Sequence, residues 1–276
     1  MVVDYDPATH YDRITEAWSL LLGSELHYGL FETGSEPLET ATAALTSLMI
    51  ERAQLTSGLR VLDVGCGSGA PACRLAAEHG VDVLGITTSE VGVESATARA
   101  HSRGLRGATF EVRDGTANGL PDESFDRIWV LESSHLMPDR AALVSECARV
   151  LRPGGRLALC DLVRRRDVSF LEVKERRADF AVLRSAFGAA RMDPLASYVE
   201  LAVAAGLEPD HAEDLTAVTR PTFTRWRANL DRHRARVLDL LGDRSVVDFE
   251  RSLSILDGFW GDGTLGYAIM SARKPG

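Results

Sequence analysis

Lysine is nearly absent from this 276-residue chain: of its 31 basic residues, only Lys174 and Lys274 are lysines. A phosphate-cradling GxxxxGK loop is excluded, because no lysine stands where it would reach a phosphate. Excess positive charge is lacking as well. A net charge of −9 repels phosphate backbones, so nucleic acid is not expected as a partner. Cysteine is sparse. Cys66, Cys73, Cys147 and Cys160 form no CxxC pair and no Cys/His cluster with zinc spacing. No metal is expected, and the thiols read as free and buried in a reducing compartment. No apolar run approaches the ~20 residues that a membrane span requires. The first residues, MVVDYDPATHYDR, have neither a basic start nor an apolar stretch. The expectation is a cytoplasmic protein with no membrane partner. Internal repeats and low-complexity linkers are also missing. What remains, 45% hydrophobic and 26% charged, is the composition of a large α/β unit with a sizeable core.

Apolar spacing predicts helices over 8–23 and 37–54. Between them lies SELHYGLFE, a loop rich in groups able to touch a ligand. From there strand and helix alternate. Short apolar strands are predicted at 60–65, 81–86, 108–113, 125–132 and 156–162. The helix after the first strand carries Pro71 in its first turn, where a missing N–H costs nothing. Others are predicted over about 89–102 and from Pro138–Asp139 onward. This alternation implies an α/β fold with a doubly wound, mostly parallel sheet. After Asp161 the rhythm breaks into an arginine-rich helical stretch over 163–192 and a capped helix over 193–208. A strand near 208–216, another helical stretch and a closing strand at 266–274 bring the sheet to seven strands. The expected organisation is an N-terminal helical cap (1–54), a ligand-binding core (55–162), a helical lid (163–207) and a C-terminal part of the sheet with further lid helices (208–276).

The stretch VLDVGCGSG, residues 61–69, ends a strand in Gly65, Gly67 and Gly69. Glycines at that density admit a ligand to the backbone because no Cβ intrudes. A dinucleotide fingerprint is GxGxxG, followed about twenty residues later by an acid for the ribose. Here the spacing is GxGxG, and the second strand ends in Ile86, Thr87, Thr88 and Ser89, with no acid before Glu90. A nicotinamide cofactor therefore fits poorly. The remaining reading is S-adenosylmethionine, whose amino-acid tail needs close backbone approach rather than phosphate cradling. Asp63, in the same strand, is placed to orient the loop and the ligand's ammonium group.

VLDVGCGSG, GITTSE, RDGTANGLPDESFD and ARVLRPGGRL, in this order, resemble the class I S-adenosylmethionine-dependent methyltransferases over about residues 55–162. The flanking HYDRITEAW, LHYGLFE and ESSHLMPDR are similar to small-molecule enzymes of sugar, quinone, tocopherol and specialised-metabolite pathways. The resemblance implies that Asp114 accepts a hydrogen bond from the adenine amino group and that the Gly115 backbone meets the ring edge. It implies that the Leu131 carbonyl faces the methionine ammonium. Tyr11, His27 and Tyr28 match positions that close over the methionine end. Many relatives hold the ribose with an acid after strand two. This chain has Thr87 and Thr88 there, so hydroxyls and backbone would have to serve. Glu132 is a second candidate acid, at a position that often supports the loop in relatives.

Methyl transfer from a sulfonium is an in-line displacement. Positioning supplies roughly 7–11 kcal/mol of such a barrier, and a general base adds about 10²–10⁴-fold. His135, just beyond strand four, is the candidate base, with an ordinary pKa of about 6.5. Asp161 closes strand five, where it would orient His135, bind a substrate hydroxyl, or cap the next helix. Phe170, Phe180, Phe187, Tyr198, Phe223 and Trp226 give the lid an aromatic content that suits a flat or bulky apolar acceptor. The expected reaction is O-methylation of a small specialised metabolite. C- or N-methylation, and a non-methylating cyclase that keeps the cofactor as a structural element, stand as alternatives. Monomer and homo-oligomer are both left open.

Overall fold

The computed structural model describes residues 16–276. Seven strands form one sheet: β1 (Arg60–Val64), β2 (Asp82–Thr87), β3 (Ala108–Val112), β4 (Phe125–Leu131), β5 (Leu151–Arg164), β6 (Glu208–Asp214) and β7 (Leu265–Arg273). Their order is β3-β2-β1-β4-β5-β7-β6. The first five run parallel, and β7 lies antiparallel between β5 and β6. Residues 16–22 are helical. The helices that follow are α1 (Leu38–Ala53), α2 (Ala70–His79), α3 (Glu90–Ser102), α4 (Arg140–Val150), α5 (Phe170–Glu175), α6 (Arg177–Phe187), α7 (Leu195–Ala204), α8 (Thr216–Thr219) and α9 (Thr222–Gly261). The last is broken at Gly242, whose φ of 75° belongs to no right-handed helix.

Strand periodicity divides the core into two layers. Val61, Trp129 and Leu131 face one side of the sheet and pack with α1, α2 and α9. Leu62, Ile128 and Val130 face the other side and pack with α4 and α7. A sheet buried on both faces requires near-continuous apolar strands, which is how β1 and β4 read. The carboxyl ends of β1 to β4, at Val64, Thr87, Val112 and Leu131, form one edge of the sheet. In doubly wound folds this edge is where ligands bind.

Within the described residues the predicted strands and helices lie within a few residues of those observed, apart from β5 and the stretch over 163–192; the part of the 8–23 helix that precedes residue 16 lies outside the described residues. β5 starts at Leu151 rather than 156, because LRPGG stays extended and Leu151 pairs with Phe125 before the register shifts. The 163–192 stretch holds the end of β5 and two helices, α5 and α6. Its arginines are largely held by neighbouring acids: Arg164 by Asp167, Arg165 by Asp214, Arg166 by Glu172, and Arg176 by Asp262. All four cysteines are buried and free. Among the described residues no helix is long and apolar enough to cross a membrane.

Candidate active site

Two cavities open at the carboxyl edge and share a wall. The smaller, of about 50 Å3, is lined by Asp63, Gly65, Gly67, Leu131 and His27 among others. The larger, of about 300 Å3, is walled chiefly by apolar lid and helix side chains such as Leu22, Phe180, Leu183, Phe187, Met192 and Trp226. Its ionisable wall residues are Tyr28, Glu132, His135 and Arg184. Leu26 and Glu132 line both cavities.

In the small cavity, Asp63 is only 3% exposed and its Oδ2 has no hydrogen-bond partner. Burial alone pushes this carboxyl up to about 7. A buried acid without a partner is costly unless a ligand supplies the missing donor or cation. The glycines divide their work. A Cβ on Gly65 would lie 2.2 Å from Ser133 Cβ, and one on Gly69 would lie 2.6 Å from Ala96 Cβ, so both permit tight packing. A Cβ on Gly67, at φ 52°, would meet nothing within 4 Å. It would occupy the open space that Gly67 lines. An orphaned carboxylate facing a cradle that a side chain would fill suits the ammonium end of S-adenosylmethionine.

The neighbouring strand ends carry the other candidates for that ligand. Thr87, partly buried, closes β2, and Thr88 beyond it is exposed. Asp114, after β3, is exposed, and its Oδ1 accepts from the backbone and hydroxyl of Thr116, both at 2.8 Å. Gly115 is buried against Val64 and Met137, where a Cβ would lie 2.6 Å from Val64 Cγ1. The Tyr11 expectation falls outside the described residues.

His135 and Asp161 form one unit on the larger cavity. His135 Nδ1 lies 2.6 Å from Asp161 Oδ1, and its backbone N–H donates to Oδ2 at 3.0 Å. Asp161 is fully buried. Its Oδ2 also accepts from the Ser134 hydroxyl at 2.5 Å, and Oδ1 from the Leu162 N–H at 2.7 Å. Tyr198 OH lies 2.8 Å from Ser134 Oγ behind this pair. Burial disfavours charge on both partners. Their mutual attraction wins: it raises the His135 pKa above 6.5 and holds Asp161 below 3.8. With Nδ1 committed to Asp161, Nε2 is the nitrogen left to serve the cavity that His135 lines.

The loop over residues 24–31 closes the site from the N-terminal side. His27 is buried, with Nε2 3.0 Å from Glu25 Oε2 and Nδ1 2.7 Å from the Tyr28 carbonyl. Arg74 of α2 also holds Glu25, at 3.3 Å. Tyr28 belongs to the wall of the larger cavity and stacks on Trp260 at 5.5 Å. Of the six lid aromatics, Phe180, Phe187 and Trp226 line that cavity. Phe170 is 81% exposed, Tyr198 sits behind Asp161, and Phe223 is buried against Tyr28 and Trp260. Sequence reasoning missed Ser134, Leu26 and Tyr267. Ser134 directly precedes His135, and a hydroxyl beside a candidate base is a usable signal.

Residues 62–159 match the family model described as a methyltransferase domain. The 27-O-demethylrifamycin SV methyltransferase of Amycolatopsis mediterranei (strain S699) is 38% identical over 266 residues, covering 96% of this chain and 95% of that protein. Methyltransferase GfsG of Streptomyces halstedii is 35% identical, with 96% and 93% covered. Among solved structures, the 4+2 cyclase SpnF superposes with a TM-score of 0.82 at 30% identity, covering 97% of this chain and 95% of that one. The mycolic acid cyclopropane synthase CmaA1, complexed with SAH and CTAB, shares the fold at a TM-score of 0.85 and 21% identity, with 97% and 96% covered.

Proposed function

This chain belongs to the S-adenosylmethionine-dependent methyltransferases, and from that premise we propose that it O-methylates a hydroxyl of a bulky, mainly apolar specialised metabolite in the cytoplasm, with His135 as base. The carrying observation is the His135–Asp161 unit, locked by contacts of 2.6 and 3.0 Å on the wall of the cavity that adjoins the glycine loop. The name of the Amycolatopsis relative, a 27-O-demethylrifamycin SV methyltransferase, supports the substrate class, and the four free buried thiols support the compartment.

S-adenosylmethionine supplies a methyl group already activated on a sulfonium. The chain's own residues then have three tasks. Asp63 and the Leu131 carbonyl hold the ammonium end, Asp114 and Gly115 the adenine, and Thr87 and Thr88 the ribose. The apolar walls bury the acceptor, exclude water and aim its hydroxyl, and positioning of this kind supplies most of the acceleration. His135 Nε2 takes the hydroxyl proton as the oxygen attacks. Asp161 keeps the ring oriented and stabilises the imidazolium that results.

The test is to incubate the protein with methyl-labelled S-adenosylmethionine and extracts of its own organism, adding 27-O-demethylrifamycin SV as a defined probe. An extract-dependent labelled ether with matching S-adenosylhomocysteine is expected. His135→Ala should cut turnover about 10²–10⁴-fold with S-adenosylhomocysteine affinity intact. Unchanged turnover would remove the base assignment. The likeness to the cyclase SpnF favours one other reading, a ring-forming enzyme on the same fold. Product formation without S-adenosylhomocysteine would select it. The His135–Asp161 unit favours methylation, because a pericyclic closure needs no base.

A further inference from the structure

We propose that Glu132 is the counterion of the cofactor's sulfonium, so that this chain binds S-adenosylmethionine more tightly than the demethylated S-adenosylhomocysteine. The proposal rests on the cofactor assignment above and extends it to the reacting centre. A methyl group passing from one ligand to the other must cross the junction of the two cavities. Leu26 and Glu132 line both cavities, and of these two Glu132 is the one that carries charge.

The backbone places Glu132 there at a cost. Its φ is 49°, in the left-handed region, although the residue is not glycine. Its N–H donates to the Cys160 carbonyl at 2.9 Å, which ties this bend to β5. One carboxylate oxygen is taken: Oε1 accepts from the Tyr28 N–H at 2.7 Å and from the Tyr267 hydroxyl at 2.5 Å. Oε2 has no protein partner among the described residues. No arginine or lysine there forms an ion pair with this carboxylate.

The groups that face it are His27 and Tyr28 from the 24–31 loop, Cys160 and Asp161 of β5, Tyr267 of β7, and His135 on its own loop. His27 is already engaged by Glu25, and Asp161 adds a like charge. Burial, the largest cause, pushes the Glu132 carboxyl up to about 7, only partly offset by His27 and the two hydrogen bonds. A carboxylate so placed gains most from a cation at its free oxygen. The sulfonium is that cation, and it exists only before methyl transfer. Binding S-adenosylmethionine should therefore move the proton of neutral Glu132 to the buffer. S-adenosylhomocysteine, with an uncharged thioether, should leave that proton in place. Asp63 faces the ammonium common to both nucleosides, so any proton it loses cancels in the comparison.

The experiment is titration calorimetry with both nucleosides at pH 6, 7 and 8, in two buffers of different ionisation enthalpy. For the native chain, the ratio of S-adenosylmethionine to S-adenosylhomocysteine affinity should rise about five- to tenfold from pH 6 to pH 8. Binding of S-adenosylmethionine at pH 7 should release more protons than binding of S-adenosylhomocysteine. Glu132→Gln keeps an oxygen for Tyr28 and Tyr267, and it should abolish both differences. An unchanged ratio in Glu132→Gln would overturn the proposal. So would a pH-independent ratio with equal proton release in the native chain, which decides the matter even if the variant does not fold. Failure of both nucleosides to bind would instead overturn the cofactor assignment.

Discussion

Asp63→Asn should make the ligand-free protein more stable and the cofactor complex weaker. In the unfolded chain this carboxyl ionises near 3.8; in the fold, burial raises it to about 7. A raised acid pKa means that the fold favours the protonated form. The penalty is thus absent below the unfolded value, grows between the two, and is complete above about 7. A gap of some three units at about 1.36 kcal/mol each sets an upper bound near ~4 kcal/mol, and water entering the cavity lowers it to about 1–3 kcal/mol. Asparagine keeps the shape and removes the ionisation. At pH 8 the melting temperature should rise by several degrees, at roughly 2–4 °C per kcal/mol for a chain of this size. At pH 4 the gain should disappear. S-adenosylhomocysteine affinity should fall about 10–100-fold, the loss of one charge-assisted hydrogen bond of roughly 1.5–3 kcal/mol. Scanning fluorimetry at the two pH values and calorimetry with the nucleoside measure both effects. Destabilisation at both pH values with unchanged affinity would make Asp63 a structural staple with no part in cofactor binding.

The glycines allow a separation of roles. Gly67→Ala should leave the fold near native, at a backbone cost of about 1–2 kcal/mol, yet abolish measurable nucleoside binding. Gly65→Ala, with Ser133 Cβ only 2.2 Å away, should lower the melting temperature sharply. Circular dichroism melts beside calorimetry distinguish the two. For the base, activity should rise with pH through an ionisation above 6.5, because His135 must be neutral to accept a proton and Asp161 raises its pKa. In Asp161→Asn that limb should move toward lower pH while kcat falls, as a pH–rate profile of kcat/KM would record.

The sheet was legible because β1 and β4 are short apolar runs between turn signals, and each helix follows at the spacing a parallel crossover needs. The candidate site was legible where chemistry clusters in sequence: three glycines after β1, and His135 just past β4, all of which line the two cavities or pack beside them. What tertiary structure alone decides was hidden. Periodicity does not reveal that Gly69 packs on Ala96 while Gly67 faces open space. Ser134 meets Asp161 across 27 residues, and the Tyr28 N–H meets Glu132 across 104, so only the strand order brings them together. Tyr198 read as a lid aromatic because its helical spacing gave no sign that its hydroxyl lies behind the Asp161 carboxylate.

The most direct test is a crystal structure with S-adenosylhomocysteine. The amino group should lie against Asp63 and the Leu131 carbonyl, with the sulfur at the opening toward His135 and beside Glu132. A nucleoside bound elsewhere, or with its sulfur turned away from the larger cavity, would contradict the cofactor assignment.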